Sequence, residues 1–187
     1  LSFWTESECA EAKTMPKVNT LPLAGESLVM PRAYGVGETE PLILSVGTIE
    51  PRKNQALLID AFLAFCQERP ETSWRLKLVG NLDASLDQKI KTASKTGFVQ
   101  YVGSVSDEVL ADLYQRCSFT VFPSVEEGFG LPILESLWAG KPCLCANFGS
   151  MAEVATQGGC LTVDTRSLPE LERGISQLVL DVELRER

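Results

Sequence analysis

Two short stretches of this chain set charged side chains beside glycine. The first runs Gly47-Thr48-Ile49-Glu50-Pro51-Arg52-Lys53-Asn54. Glycine lets a backbone approach a ligand closely, and two adjacent cations ahead of a helix suit a phosphate. Standing alone, the pair fits surface charges before a helix cap equally well. The second runs Glu126-Glu127-Gly128-Phe129-Gly130-Leu131-Pro132-Ile133-Leu134-Glu135. Pro132 fits the first turn of a helix, where its missing N–H costs nothing, so the N–H groups of Gly130 and Leu131 open an anion-attracting helix start. Glu135, one turn in, is either a dipole-compensating surface acid or a bidentate acceptor for two adjacent hydroxyls, as in a ribose diol. Glu127 is a second carboxylate across the same crevice. Taken as isolated acids, both fit a solvated face better.

Composition narrows the chemistry. The 187 residues carry 17 Lys+Arg against 25 Asp+Glu, a net charge of −8, and no His. Histidine triads, histidine metal ligands and imidazole proton shuttles are excluded. So acidic a chain is a poor nucleic-acid partner, because it offers phosphates no basic face. With 44% apolar and 22% charged residues it supports a sizeable core. It lacks a Walker-type phosphate loop, a nucleophile elbow, a D-x-D pair and a dinucleotide fingerprint. No run of about 18 apolar residues spans a bilayer, and Leu1–Ala10 lacks the basic-then-apolar order of a signal peptide. The six cysteines, Cys9, Cys66, Cys117, Cys143, Cys145 and Cys160, contain no CxxC pair and read as reduced, mostly buried thiols. Cys143 and Cys145 share one face of a strand, which is a weak basis for a metal site.

The elements that would position these residues alternate along the chain. Strands are predicted at Pro41–Thr48, Trp74–Gly80, Phe98–Gly103, Ser118–Pro123, Pro142–Ala146 and Cys160–Val163. Helices are predicted at Asn54–Arg69 with Asn54 as N-cap, around Leu86–Ala93, after Ser106, over Leu131–Ala139 and Met151–Ala155, and behind Ser167. Six strands alternating with helices argue for an α/β fold, a Rossmann-like doubly wound parallel sheet. Ligands in such sheets bind beyond the carboxyl ends of the strands, where both charged stretches fall. Residues 1–40 differ: Ser2–Lys13 suits a short helix, Lys17–Leu23 a short strand and Ala24–Glu40 a connector.

Glu127-x7-Glu135 around Gly-Phe-Gly-Leu-Pro, preceded by Phe122-Pro123-Ser124, resembles the signature of the retaining glycosyltransferases of the GT-B fold, family four. The resemblance extends to Ser45-Val46-Gly47 with Arg52-Lys53-Asn54, to Leu78-Val79-Gly80, Val102-Gly103 and Gly149-Ser150-Met151-Ala152-Glu153-Val154. It implies the C-terminal half of a GT-B fold, with 1–16 as the close of an N-terminal domain, 17–40 as a leading strand and connector, and 41–187 as the nucleotide-sugar-binding domain. Many members have Arg directly after the first glycine of the phosphate loop, where this chain has Thr48.

What the resemblance implies for the site is a nucleotide diphosphate sugar held without metal or cofactor. Arg52 and Lys53 would neutralise the departing diphosphate, and Glu127 would contact the transferred sugar beside the Gly128–Phe129–Gly130 backbone. Leu131 would give an N–H to a phosphate oxygen, and Glu135 would hold the ribose hydroxyls. Gly47 and Thr48 would line the donor site, with Val102 and Gly103 near the base. The Glu50-Pro51-Arg52-Lys53-Asn54 form of the loop is similar to that of mannosyltransferases in polysaccharide assembly, which points to GDP-mannose ahead of UDP-sugars. The acceptor, a glycan or lipid-linked chain, would be held by an N-terminal domain, and this half alone would transfer nothing. The implied location is cytoplasmic, with the intact enzyme peripheral to the inner membrane face. A non-catalytic nucleotide-sugar-binding module and an epimerase of the same fold remain alternatives.

Overall fold

The computed structural model describes residues 39–156 and 158–186. The helix and strand expected over 1–38, and thus the two N-terminal segments, lie outside the described residues. Six strands, β1 (Leu42–Val46), β2 (Arg75–Val79), β3 (Val99–Gly103), β4 (Phe119–Phe122), β5 (Cys143–Ala146) and β6 (Cys160–Val163), form one sheet in the order β3-β2-β1-β4-β5-β6. Every pairing is parallel. Central strands buried on both faces must be apolar throughout. β4 (FTVF) and β5 (CLCA) are buried at every position, whereas the edge strand β3 alternates in and out.

Helices cover both faces. α1 (Gln55–Glu68), α2 (Asp87–Ser94) and α6 (Leu168–Leu180) close over one, their apolar stripes joined in a single cluster with Ile43, Leu76 and Phe119. Leu58, Ile59, Phe62 and Phe65 of α1 are fully buried there, each contributing about 1.5–3 kcal/mol by burial. α3 (Asp107–Arg116) packs through Leu113 and Tyr114 on the opposite face. Beside it lie α4 (Leu131–Trp138), through Ile133, and α5 (Gly149–Ala155), through Met151. A short α7 (Val182–Glu186) follows α6.

The order reverses between β1 and β4. The helix after β1 goes to one face and the helix after β4 to the other, so their loops part and leave a crevice at the carboxyl ends. The first five predicted strands are one to three residues longer than the ladders they form and β6 matches; after β1 and β2, Gly47 and Gly80 take positive φ (135° and 139°) and turn the chain out. Gly80 is obligatory in this conformation: a Cβ there would stand 2.1 Å from the Gly47 carbonyl oxygen.

Asn54 is the N-cap residue of α1, its carbonyl accepting from the Leu58 N–H at 3.2 Å, but it does not cap through its side chain. Its backbone lies in the left-handed region (φ 59°). Its amide donates instead to the Thr165 carbonyl at 2.7 Å, in the loop after β6. Asparagine tolerates this backbone better than most residues, and the long-range bond uses the side chain the cap would need. Ser106 precedes α3 likewise without a capping bond. The five described cysteines follow expectation: Cys66, Cys117, Cys143 and Cys145 are buried free thiols and Cys160 is partly buried, while Cys9 lies outside the described residues.

Candidate functional site

The loops after β1 and β4 are stitched together directly. A tight turn at Pro51–Lys53 follows β1, and its Arg52 carbonyl accepts from the Val125 N–H at 3.1 Å. The Arg52 guanidinium donates to the Glu126 carbonyl and to Glu50 Oε1, both at 2.7 Å. Buried Gln55 fixes the strand end below by donating to the Thr48 carbonyl at 2.9 Å. From the far side, the Thr165 hydroxyl donates to the Ser124 carbonyl at 3.3 Å, so Asn54, Thr165 and Ser124 tie three strand-end loops into one floor.

Glu127 stands on that floor. Its Oε1 accepts from Lys53 Nζ at 2.5 Å and from Ser124 Oγ at 2.5 Å, with Arg52 Nη1 at 3.3 Å. All three partners meet the same oxygen; Oε2 takes none of these contacts. The side chains of Lys53 and Glu127 are 15% and 10% exposed, that of Arg52 46%, so the inner pair is mostly shielded and the outer cation faces solvent. Burial alone would raise the Glu127 pKa. The hydrogen bonds from Lys53 and Ser124, with the charges of Lys53 and Arg52, outweigh it and hold the carboxyl below its ordinary range. Lys53 Nζ also lies 5.2 Å from the Phe122 ring centroid, a cation–π contact that braces the ammonium. The Ser150 hydroxyl, at the start of α5, donates to the Glu127 carbonyl at 2.9 Å.

α4 begins at Gly130 (φ 90°), followed by Leu131 and Pro132. The Leu131 N–H therefore opens a helix turn and has no intrahelical acceptor. Glu135 lies on α4 apart from the Glu127 cluster, and its Oε2 accepts from the buried Tyr114 hydroxyl at 2.9 Å. Burial raises the Glu135 pKa, and the tyrosine bond pulls against that shift.

The structure thus joins Arg52, Lys53 and Glu127 in one ion-paired group, with Gly47 and Thr48 at the β1 end and Gly128, Phe129 and Gly130 in the loop leading to α4. Val102 and Gly103 end β3, two strands from β1, and no hydrogen bond or ion pair connects them to Glu127 among the described residues. Nearby, the Tyr101 hydroxyl donates to the Gly80 carbonyl at 3.0 Å. Among the described residues, no group of three or more acidic, thiol or imidazole side chains has the geometry to hold a metal ion, and no helix is long and apolar enough to cross a membrane. Sequence reasoning did not find Ser124, Asn54 with Thr165, or Tyr114 as site partners. Ser124, three residues before Glu127 in one loop, was within reach of a local hydrogen-bonding argument; the other contacts are long-range.

A six-stranded parallel sheet in this order, with its crevice between β1 and β4, is a Rossmann-like doubly wound sheet. It superposes on the C-terminal domain of a glycosyl transferase group 1 family protein from Francisella tularensis with a TM-score of 0.63 at 21% identity, covering 80% of each chain. It also matches Anabaena HepE, solved in complex with UDP and glucose, with a TM-score of 0.62 at 22% identity, covering 79% of this chain and 41% of that one. The family model "Glycosyl transferases group 1" matches residues 29–187. The chain belongs to that family. Among curated relatives, the O-antigen chain mannosyltransferase B of Escherichia coli is 36% identical over 148 residues, which are 76% of this chain and 38% of the relative. The chain spans less than two-fifths of that relative's length.

Proposed function

We propose that this chain is the donor-binding half of a retaining glycosyltransferase that takes a hexose, mannose first among candidates, from a nucleotide diphosphate sugar. The observation that carries the reading is the Glu127 carboxylate held through one oxygen by Lys53, Ser124 and Arg52 at the switch point of the sheet. Such a group offers fixed cations to a diphosphate and a second carboxylate oxygen to a sugar hydroxyl. The mannosyltransferase named among the relatives favours GDP-mannose, and HepE, with its UDP and glucose, keeps UDP-sugars as the alternative donor.

In this reading the sugar–phosphate bond breaks and negative charge grows on the departing diphosphate. Arg52 and Lys53 face that charge, and preorganised cations in a partly shielded crevice stabilise it in the transition state. The Leu131 N–H adds a donor at the α4 N-terminus, and no metal is required for the charge balance. Glu127 orients the sugar hydroxyls and stabilises positive character at the anomeric carbon. Glu135 accepts the two ribose hydroxyls. The acceptor hydroxyl, a glycan or lipid-linked chain presented by an N-terminal domain, attacks from the face the diphosphate leaves, so the anomeric configuration is kept. Transfer needs that domain to close over the sugar and exclude water.

The test is calorimetric titration of the chain with GDP, UDP, GDP-mannose and UDP-glucose, repeated on the Arg52→Ala/Lys53→Ala variant. Saturable binding of GDP and GDP-mannose that disappears in the variant is the expected result. Equal binding by the variant overturns the phosphate assignment.

A further inference from the structure

The second face of the sheet carries a group of residues the proposed function does not use. Cys143 and Cys145 alternate on β5 and so point to the same face. Cys160 opens β6 and is the register partner of Cys143. The three thiols gather under α4 and α5 in the cluster of Phe122, Ile133 and Met151. The turn before β6 holds them there. The Cys143 N–H donates to the Gly159 carbonyl at 3.0 Å, and Gly159 (φ 71°) presses so closely on α4 that a Cβ would stand 2.5 Å from Leu137 Cδ2.

The thiols differ in access. Cys143 and Cys145 are fully buried, whereas Cys160, on an edge strand, is partly open. Its two thiol neighbours, Cys143 first and then Cys145, hold the Cys160 pKa below the ordinary thiol value. The isolated thiols Cys66 and Cys117 are pushed up by burial, to about 11 and about 12. A thiolate that solvent can reach is the one an oxidant finds.

We propose that Cys160 and Cys143 form a peroxide-sensitive dithiol, a modification site that closes to a disulfide between β6 and β5. In the first step the Cys160 thiolate attacks a hydroperoxide oxygen, the O–O bond breaks, and sulfenic acid and hydroxide form. In the second the Cys143 thiol loses its proton and attacks the Cys160 sulfur, and hydroxide leaves as water. Two thiols and one hydrogen peroxide give one disulfide and two waters. Directly paired neighbours in a sheet lie about 4.8 Å apart, inside the roughly 4.4–6.8 Å range of Cα separations that disulfides span. Cys145 is the register partner of Thr162 and stands diagonal to Cys160, where neighbours lie roughly 7–8 Å apart, so it is not the bonding partner.

The chain is treated with a few equivalents of hydrogen peroxide, blocked with an alkylating agent and digested. The expected result is loss of two hydrogens and a Cys143–Cys160 cross-linked peptide, reversed by dithiothreitol. Cys160→Ser should abolish the link, while Cys145→Ser, which removes a neighbouring thiol and leaves both partners, should retain it. A circular-dichroism melt of each variant shows that it is folded. Three outcomes overturn the proposal: Cys160 overoxidised with Cys143 still free, a link through Cys9, Cys66, Cys117 or Cys145 instead, or no thiol lost.

Discussion

Tyr114 and Glu135 stand on different helices and share one proton. The tyrosine hydroxyl, buried under α3, donates to Glu135 Oε2 at 2.9 Å on α4. Burial works against ionisation of both groups, and the bond is what makes a half-buried carboxylate tolerable there. Under the proposed function it also fixes the rotamer that meets a ribose, leaving Oε1 for the sugar. Tyr114→Phe should therefore lower stability by about 1–2 kcal/mol and weaken GDP binding several-fold. Chemical denaturation and calorimetry check the two effects separately; unchanged affinity would mean that Tyr114 matters to the fold alone.

The two cations of the crevice should separate stability from binding. Lys53 is mostly buried against Glu127, so Lys53→Ala leaves a shielded carboxylate with less compensation and should cost about 2 kcal/mol. Arg52 is far more exposed, and Arg52→Ala should leave the urea midpoint near that of the parent chain. Both should reduce diphosphate affinity at least tenfold. Parallel urea titrations and calorimetry of the two variants suffice.

Glu127 and Glu135 should give the chain opposite pH slopes. The folded pKa of Glu127 is lowered, so its stabilisation is complete above the ordinary value of 4.5 and is lost as pH falls through the lower folded value. The folded pKa of Glu135 is raised. Between 4.5 and that higher value the folded state binds the extra proton, so stability falls as pH rises. Relative to the parent, Glu127→Gln should flatten the acid limb of a melting-temperature profile. Glu135→Gln should flatten the limb above it and stabilise the chain at neutral pH while impairing GDP binding. Slopes of equal sign in the two difference profiles would contradict these assignments.

Gly80→Ala should be the most disruptive single-methyl change near the crevice. The added Cβ would meet the Gly47 carbonyl at 2.1 Å in a backbone region that alanine rarely adopts. The loss should be about 2 kcal/mol or more. Gly47→Ala, strained in φ but with nothing within 4 Å of its Cβ, should cost less. Denaturation midpoints of the two variants rank the steric term against the conformational one.

The sheet was legible in the sequence because buried parallel strands are continuous apolar runs, and each of β1, β2 and β3 is closed by a glycine that the chain needs to leave the ladder. The charged stretches were legible as local patterns, and the structure brings Arg52, Lys53 and Glu127 within contact. What escaped was set by partners far along the chain. Asn54 is the cap residue its neighbours suggest, yet its side-chain amide is given to Thr165, 111 residues on, and makes no capping bond. Tyr114 reads as one more apolar position on α3, and only the packing of α3 beside α4 reveals the acceptor of its hydroxyl. Cys143 and Cys145 read as a pair on one strand face, and the β5–β6 register is what brings Cys160 to them.

The charge balance of the crevice has a kinetic consequence. Arg52 and Lys53 are matched by Glu50 and Glu127, and the chain as a whole carries −8. An approaching anion meets no long-range pull: the attraction begins only when it is close enough to compete with Glu50 and Glu127 for their own cations. Capture of this kind is unsteered, with association rates that do not fall steeply as salt is added. Discrimination then belongs to the last few ångströms, where an anion must displace carboxylates already in place, and weak competitors such as chloride gain little from being abundant.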